Sequence, residues 1–393
     1  MSKDAAKEKS AHQVLARKHR PQGFDELVGQ PGVSQTLKNA LAAGRVHHAY
    51  LFTGPRGCGK TTTARILAKA LNCEKGPTAE PCGTCVACRE IAASSCLDVL
   101  EMDAASHTGV DNVREVIIET VALAPNRDRY KVFIIDETHM LSGAAFNALL
   151  KTIEEPPPHV VFILATTEAH KVPATIASRC QRFKFRPVEP DLLASHLAAI
   201  AKKEKIAVEP EALALLARAA EGSLRDAVGL LDQCRSVGEG KVELSAVREM
   251  FGFVPAEMLM GAARALLSRD AKALAGWLKK VYEEGVEPAQ FLKDLRAAFE
   301  AVYLEKLGAG SAADPAWSKA LSDATPEALG FLLRRLNRAL EELRFGDSPR
   351  LALELGLFSA LESAQDLGAW VERLEALERR LSAGGGGPAL PAR

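Results

Sequence analysis

An excess of charge of either sign is the first thing this sequence lacks: 50 Lys and Arg residues cancel 50 Asp and Glu residues over 393 positions. Bulk electrostatics therefore gives no reason to suspect a nucleic-acid partner. Aromatic residues are scarce, at 5%, and the Ala- and Leu-rich second half favours helix. No run of about 18 apolar residues occurs, so no helix is expected to span a membrane. Residues 1–12 are charged and polar and lack the apolar stretch and small-residue cleavage site of a secretory signal, so a cytoplasmic protein is expected. In a reducing compartment the eight cysteines read as metal ligands, reactive groups or packed thiols, not as a disulfide framework.

What is present is an ordinary globular composition, 47% hydrophobic and 25% charged. At about 150 residues per domain the length predicts two or three domains. In the first half, apolar strand-like runs at 49–53, 97–102, 131–135 and 160–165 alternate with helical patterns at 61–72, 110–123 and 143–154. Near-continuous apolar strands separated by amphipathic helices predict an α/β fold, a parallel sheet with helices on both faces. From Pro190 onward the strand signal stops. Helices are expected at 191–203, 210–220, 224–237 and 245–251, then through a second all-helical region from about 255 to 381. There Leu367, Trp370, Leu374, Leu377 and Leu381 form an apolar seam, for a neighbouring helix in this chain or in another. Residues 382–393 read as a flexible Gly/Pro tail.

Residues 54–61 read GPRGCGKT, the GxxxxGK[ST] pattern, placed between an expected strand and an expected helix. Such a loop surrounds a β-phosphate with backbone N–H groups, while Lys60 reaches the β and γ oxygens and the Thr61 hydroxyl binds magnesium. Cys58 lies within the loop as filler. Downstream, VFIIDETH (132–139) is an apolar strand ending in two acids: Asp136 to hold magnesium through water, Glu137 to polarise a water for in-line attack. The next strand ends in Thr166 and Thr167, whose hydroxyls could reach the γ-phosphate or simply close a strand. Residues 171–186 carry five basic residues and no acid. Within them Arg179 could complete a neighbouring subunit's site or belong to a surface basic patch. Arg225 falls in the first turn of a helix capped by Ser223, where the dipole disfavours a cation; a γ-phosphate or a nearby carboxylate could justify it. Cys73, Cys82, Cys85 and Cys88 form Cx8CxxCxxC with turn-forming Gly76, Pro77, Pro81 and Gly83 between them, which predicts a closed, structural four-thiolate zinc site, with an iron–sulfur cluster or a redox pair as the alternative. Cys96, Cys180 and Cys234 read as packed thiols.

The segments VLARKHRP, VGQ, HHAYLFTGPRGCGKTT, LNC, PCGTCVAC, DAAS, IDETHML, FNALLKTIEEPP, ATTEAHKVPATIASRCQRF and ARAAEGSLRDA together resemble the gamma/tau subunits of bacterial DNA polymerase III, the motors of the replicative clamp loader. The similarity is dense over 13–236 and thinner beyond. The four-cysteine insertion directly after the loop helix is its specific mark, since most AAA+ ATPases lack one. The resemblance implies a AAA+ nucleotide-binding domain over 1–187 with a zinc module at about 73–88, a helical lid over 188–253, and a helical collar for oligomerisation over 254–381. It implies an ATPase that opens the sliding clamp and loads it onto primed DNA. Such a chain is classed with DNA-directed DNA polymerase but has no polymerase activity of its own. Implied partners are delta and delta-prime subunits, further copies of the chain, the beta clamp, primer-template DNA and, through the complex, single-strand-binding protein, with no membrane.

Matched residue by residue, the resemblance assigns ATP to Gly54, Pro55, Arg56, Gly57, Cys58, Gly59, Lys60, Thr61 and Thr62. Arg17, Pro21 and Val28 would border the adenine. Asp136 and Glu137 become Walker B, Thr167 (or Thr166) sensor 1, Arg225 sensor 2, and Arg179 the finger acting in trans. Magnesium would sit at Thr61 and Asp136, and zinc at the four cysteines. His19 departs from the family's aromatic residue, and His107, Thr108 and Gly109 follow DAAS where some relatives carry basic residues, leaving the Ser106 and Thr108 hydroxyls to meet DNA phosphate. The chain resembles either the short form without the polymerase- and helicase-binding extension or, equally, a truncation of a longer product. Competing readings are a nucleotide-binding scaffold without turnover, which degraded loop residues would favour, and a branch-migration helicase, which should lack the cysteine insert.

Overall fold

The computed structural model describes residues 14–106, 117, 119–237, 241–252, 254–309, 314–345 and 348–362. Outside them lie residues 1–12, the 107–109 loop, most of the helix expected at 110–123, the 367–381 seam and the 382–393 tail. The chain divides into two compact units, 1–246 and 247–393. The expected nucleotide-binding and lid portions share the first unit, apart from 247–253.

The first unit is built on a five-stranded, all-parallel sheet of order β2-β3-β4-β1-β5. Its strands are β1 (Ala49–Thr53), β2 (Val99–Asp103), β3 (Lys131–Asp136), β4 (Val160–Thr166) and β5 (Gln181–Lys184). Because side chains alternate along a strand, the apolar runs feed two cores. Tyr50 and Phe52, Val132 and Ile134, and Val161 and Ile163 pack on one face with α2 (Pro31–Ala42) and α3 (Lys60–Asn72). Leu51, Phe133, Ile135, Phe162 and Leu164 pack on the other, with Ala145, Phe146 and Leu149 of α5 (Gly143–Glu154). Helix α5 begins at Gly143 as its sequence predicts, after Ser142, whose hydroxyl accepts the Ala145 N–H at 3.2 Å. Strand β2 starts two residues later than expected. Leu97 is exposed, and Asp98 turns inward to accept N–H groups of Asn126, Arg127 and Asp128 at 2.6–2.9 Å.

The remaining helices of this unit of four or more residues are α1 (Leu15–Lys18), α4 (Val86–Ala93), α6 (Ala174–Ala177), α7 (Pro190–Glu204), α8 (Pro210–Ala219) and α9 (Leu224–Val237); α10 (Leu244–Phe251) crosses the division between units. The expectation that strands end at Pro190 needs correction: β6 (Ala207–Val208) and β7 (Lys241–Val242) pair in parallel. Two residues are too few to show a period. The pairing instead depends on Lys205, in the left-handed region at φ 57, which stops α7 and turns the chain.

The second unit is helical: α11 (Ala256–Ser268), α12 (Ala271–Glu283), α13 (Pro288–Lys306), α14 (Pro315–Ala320), α15 (Pro326–Phe345) and α16 (Pro349–Glu362). Phe291, Leu295, Phe299 and Val302 of α13 are fully buried with Leu329, Leu336, Leu353 and Leu357. Helices α11 and α12 meet closely at Gly261, where a Cβ would fall 2.1 Å from the Trp277 ring.

Candidate functional site

The glycine-rich loop leaves the carboxyl end of β1, and α3 begins at Lys60. Gly57 (φ 73) and Gly59 (φ 105) hold backbone angles that a side chain would strain. Gly57 is required twice over, since a Cβ there would lie 1.8 Å from the Ser223 hydroxyl oxygen. That contact brings the start of α9 onto the loop, and the Leu224 N–H donates to the Gly57 carbonyl at 3.1 Å. Lys60 is buried, and its ammonium donates to the Gly54 and Pro55 carbonyls, both at 2.9 Å. These oxygens occupy it as phosphate oxygens would. The Cys58 thiol donates to the Pro55 carbonyl at 2.9 Å, and burial pushes its pKa up.

Strand β3 lies one position beyond β4 from β1, and its carboxyl end brings Asp136 to the loop: the Thr61 hydroxyl donates to Asp136 Oδ2 at 2.5 Å. Glu137 takes a left-handed conformation, φ 46. Its Oε2 accepts from the Thr167 hydroxyl at 3.1 Å and the Thr167 N–H at 3.3 Å, with His139 Nδ1 at 3.4 Å. Of the two threonines, then, Thr167 touches Glu137. Thr166 is buried and meets His139 Nδ1 at 3.0 Å.

A cleft opens over this edge of the sheet, where a parallel sheet presents ligand sites. Arg56, Gly57, Cys58, Gly59, Lys60, Thr61, Thr62, Asp136 and Glu137 line one end; Pro21, Leu27, Val28, Ala16, His19, His196 and Val228 line the rest, with Arg20, Leu224 and Arg225. Gly54, Pro55, Thr167 and Arg179 do not line it. Neither does Arg17, which is exposed; on the single turn of α1, Ala16 faces the cleft instead. Arg20 titrates below its ordinary value, first through burial and then through the neighbouring charges of Arg65 and Arg225. Four cations therefore converge on a cleft whose acids are Asp136 and Glu137. Arg179 sits apart, its guanidinium 2.6 Å from Glu154 Oε1 and donating to the Thr175 carbonyl at 2.7 Å.

Sequence reasoning missed Ala16, Arg20, Leu27, His196, Leu224 and Val228 because they converge from three distant segments. Gln30, the last residue of the VGQ segment, belongs to the same edge of the sheet as the loop, its Nε2 3.5 Å from the Cys58 carbonyl. It is buried and bridges the Arg186 backbone, donating to its carbonyl at 2.7 Å and accepting its N–H at 3.2 Å. The wall carrying His19 is pinned by Glu204, 2.6 Å from His19 Nε2 and 2.8 Å from Lys18 Nζ. Hydrogen bonds from Lys18 and then His19 hold the Glu204 carboxyl below the usual range.

The second cluster follows α3 directly. The Sγ atoms of Cys73, Cys82, Cys85 and Cys88 all lie within 4.8 Å of one another, and no disulfide joins them. A zinc ion with Zn–S distances of about 2.3 Å needs sulfurs about 3.8 Å apart, so the set fits tetrahedral coordination with no open position. Backbone N–H groups point at the sulfurs: Cys82 N–H to Cys73 Sγ at 3.4 Å, Cys85 N–H to Cys82 Sγ at 3.3 Å, Cys88 N–H to Cys85 Sγ at 3.5 Å. The Thr84 hydroxyl, then the Cys85 N–H, draw the Cys82 thiol down to about 6, whereas burial pushes the Cys88 thiol up. Buried Lys69 donates to the Gln22 carbonyl at 2.7 Å and to Gln22 Oε1 at 2.9 Å, and burial lowers its pKa. Cys96, Cys180 and Cys234 are buried elsewhere.

Comparison with known proteins bears on both clusters. The family model for the DNA polymerase III delta subunit matches residues 29–189. That for the clamp loader ATPase lid domain of DNA polymerase III matches 193–240, and that for domain III of subunits gamma and tau matches 242–371. The chain is 43% identical to the tau subunit of Escherichia coli, over 89% of this chain and 55% of that protein. It is 38% identical to the tau subunit of Bacillus subtilis, over 94% of this chain and 67% of that protein. It thus spans little more than half the length of the first of these relatives. A solved structure of the Thermotoga maritima RuvB Holliday junction branch migration motor aligns at 21% identity and a TM-score of 0.46, over 73% of this chain and 92% of that one. With the gamma subunit of Buchnera aphidicola the match is 37% over 90% of this chain and 99% of that protein, and the chain belongs to the gamma/tau family of DNA polymerase III subunits.

Proposed function

We propose that this chain is the ATP-hydrolysing motor subunit of a bacterial replicative clamp loader, which uses ATP to open the sliding clamp and load it onto primed DNA. The observation that carries the reading is the meeting of Lys60, Thr61, Asp136 and Glu137 where β1 and β3 end. Lys60 exchanges its two carbonyl partners for the β and γ oxygens, and the N–H groups around Gly57 and Gly59 hold the phosphates against the positive end of α3. Thr61 and Asp136 hold magnesium, whose chemistry is to neutralise charge on the phosphates. Glu137, oriented by Thr167, polarises the attacking water. Arg225 reaches the γ-phosphate from α9, so that the lid portion senses the nucleotide, and the adenine lies against Pro21, Leu27 and Val28.

Arg179, outside its own cleft, is assigned to a neighbouring subunit's γ-phosphate, which requires breaking its pair with Glu154. Zinc occupies the four cysteines as a structural ion. The helical second unit serves as the collar that joins copies of this chain to delta and delta-prime subunits, in the cytoplasm.

The test is steady-state hydrolysis. The isolated chain should turn over ATP slowly, and delta, delta-prime, beta clamp and primed DNA together should accelerate it. Glu137→Gln should cost about 10²–10⁴-fold in turnover while nucleotide still binds; an unimpaired Glu137→Gln protein overturns the reading.

A further inference from the structure

The nucleotide cleft and the cysteine cluster sit at opposite ends of the same two elements. Helix α3 spans 13 residues from Lys60 to Asn72, about 18 Å at 1.5 Å per residue. Strand β3 spans 6 residues from Lys131 to Asp136, about 17 Å at 3.3 Å per step. The two pack against each other as rods of nearly equal length, running in opposite directions. At one end the Thr61 hydroxyl meets Asp136. At the other, buried Asn72 clasps Tyr130: Nδ2 donates to the Tyr130 carbonyl and Oδ1 accepts the Tyr130 N–H, both at 2.9 Å.

The cysteine cluster is fastened to that second end. Cys73 follows Asn72 and closes α3, its N–H donating to the Lys69 carbonyl. Arg129, next to Tyr130, donates from Nη1 to the Cys73 carbonyl at 2.5 Å and from Nη2 to the Glu74 carbonyl at 3.0 Å. There it caps the negative end of α3. Two residues earlier, Arg127 forms a two-pronged pair with Glu90 of α4, the helix that carries Cys88, at 2.7 and 3.2 Å. The loop 127–130 thus grips both sides of the cluster, and Asp98 fixes the loop through three backbone N–H groups. A shift of the cluster moves the far end of α3 against β3. Rigid elements transmit that shift to the end where Thr61 and Asp136 must share an ion.

We propose that Asn72 and Arg129 form a strut coupling the four-cysteine zinc site to the magnesium-nucleotide site, so that metal retention at one and nucleotide binding at the other reinforce each other. They are positioning residues: neither lines the cleft, and neither is a ligand. Coupling between two sites is reciprocal, so the effect of nucleotide on zinc equals that of zinc on nucleotide.

The inference rests on the nucleotide reading above, and the experiment separates the two. Zinc release from the full chain to a chromogenic chelator is followed with and without magnesium and ADP, alongside a fluorescent-ADP titration of the same protein. The expected result is release slowed about fivefold or more by magnesium-ADP, the lower end of common affinity coupling factors expressed in the off-rate, where most affinity differences appear. Arg129→Ala, at an exposed position, should bind one zinc and bind ADP yet lose that slowing. Should Arg129→Ala fail to hold zinc, Arg129→Lys, which keeps the charge but not the two-pronged geometry, carries the same comparison. Wild-type protein that binds ADP with unchanged zinc release overturns the coupling alone, as does a variant in which the slowing persists. Protein that binds no ADP overturns the nucleotide reading and the coupling with it.

Discussion

The two compact units differ in what they bury. All ten buried polar or charged side chains among the described residues, Gln30, Lys60, Thr63, Lys69, Asn72, Asp98, Lys131, Thr138, Thr166 and Ser223, belong to the first. The core of the second is aliphatic and aromatic throughout. Burying a polar group costs free energy unless a partner replaces water, so such groups persist where geometry has to be fixed. In the first unit they ring the sheet edge and the cysteine cluster: Lys60 in the loop, Asn72 and Asp98 around the 126–130 turn, Thr166 beside His139. The second unit is specified by shape, the first by shape and by directional bonds.

Four substitutions probe that contrast. The largest loss should come from Phe291→Ala, about 3–5 kcal/mol for emptying a fully buried aromatic site. It should appear as faster amide exchange in α11–α13 with nucleotide affinity unchanged, and a change in affinity would break the division of labour. Next, Lys60→Ala should weaken ATP binding by about 2–5 kcal/mol, the cost of truncating one partner of a buried charge pair. Fluorescent-nucleotide titration measures it, while exchange in the second unit stays at the wild-type rate.

Third, Asp98→Asn should lower stability at neutral pH by about 1–3 kcal/mol as a charged acceptor of three N–H groups is lost. Burial alone would raise the Asp98 carboxyl, but the N–H donors of Asp128, Arg127 and Asn126 overcome it and hold the group below its ordinary value. A carboxyl depressed on folding stabilises the protein above its unfolded pKa of about 3.9, and that contribution disappears as pH falls through the folded value. Urea titrations of wild type and variant should therefore differ at pH 7 and converge in acid, and a gap that survives in acid would contradict the assignment. The smallest effect belongs to the exposed Arg338–Glu342 pair of α15. Removing it should cost about 0.3–0.5 kcal/mol, and less at high salt, in the same titration.

Spacing along the chain by itself determined much of this protein. The glycine-rich loop, the acids ending β3, the four cysteines and the strand-helix alternation all lie within short stretches, where chemistry depends on residue type and interval. Helix α5 and helix α9 run as their patterns predict. Tertiary structure alone decided what depends on distant segments meeting. Ala16, Arg20, His196 and Val228 share one cleft only because α1 packs on α9 and the start of α9 on the loop. The choice of Thr167 over Thr166 as the partner of Glu137 follows from a left-handed residue that no periodicity marks. The clasp of Asn72 on Tyr130 and the pairing of β6 with β7 likewise join residues tens of positions apart. Local patterns record what each segment prefers, whereas the closing of a site depends on which packed faces bring those segments within hydrogen-bonding distance.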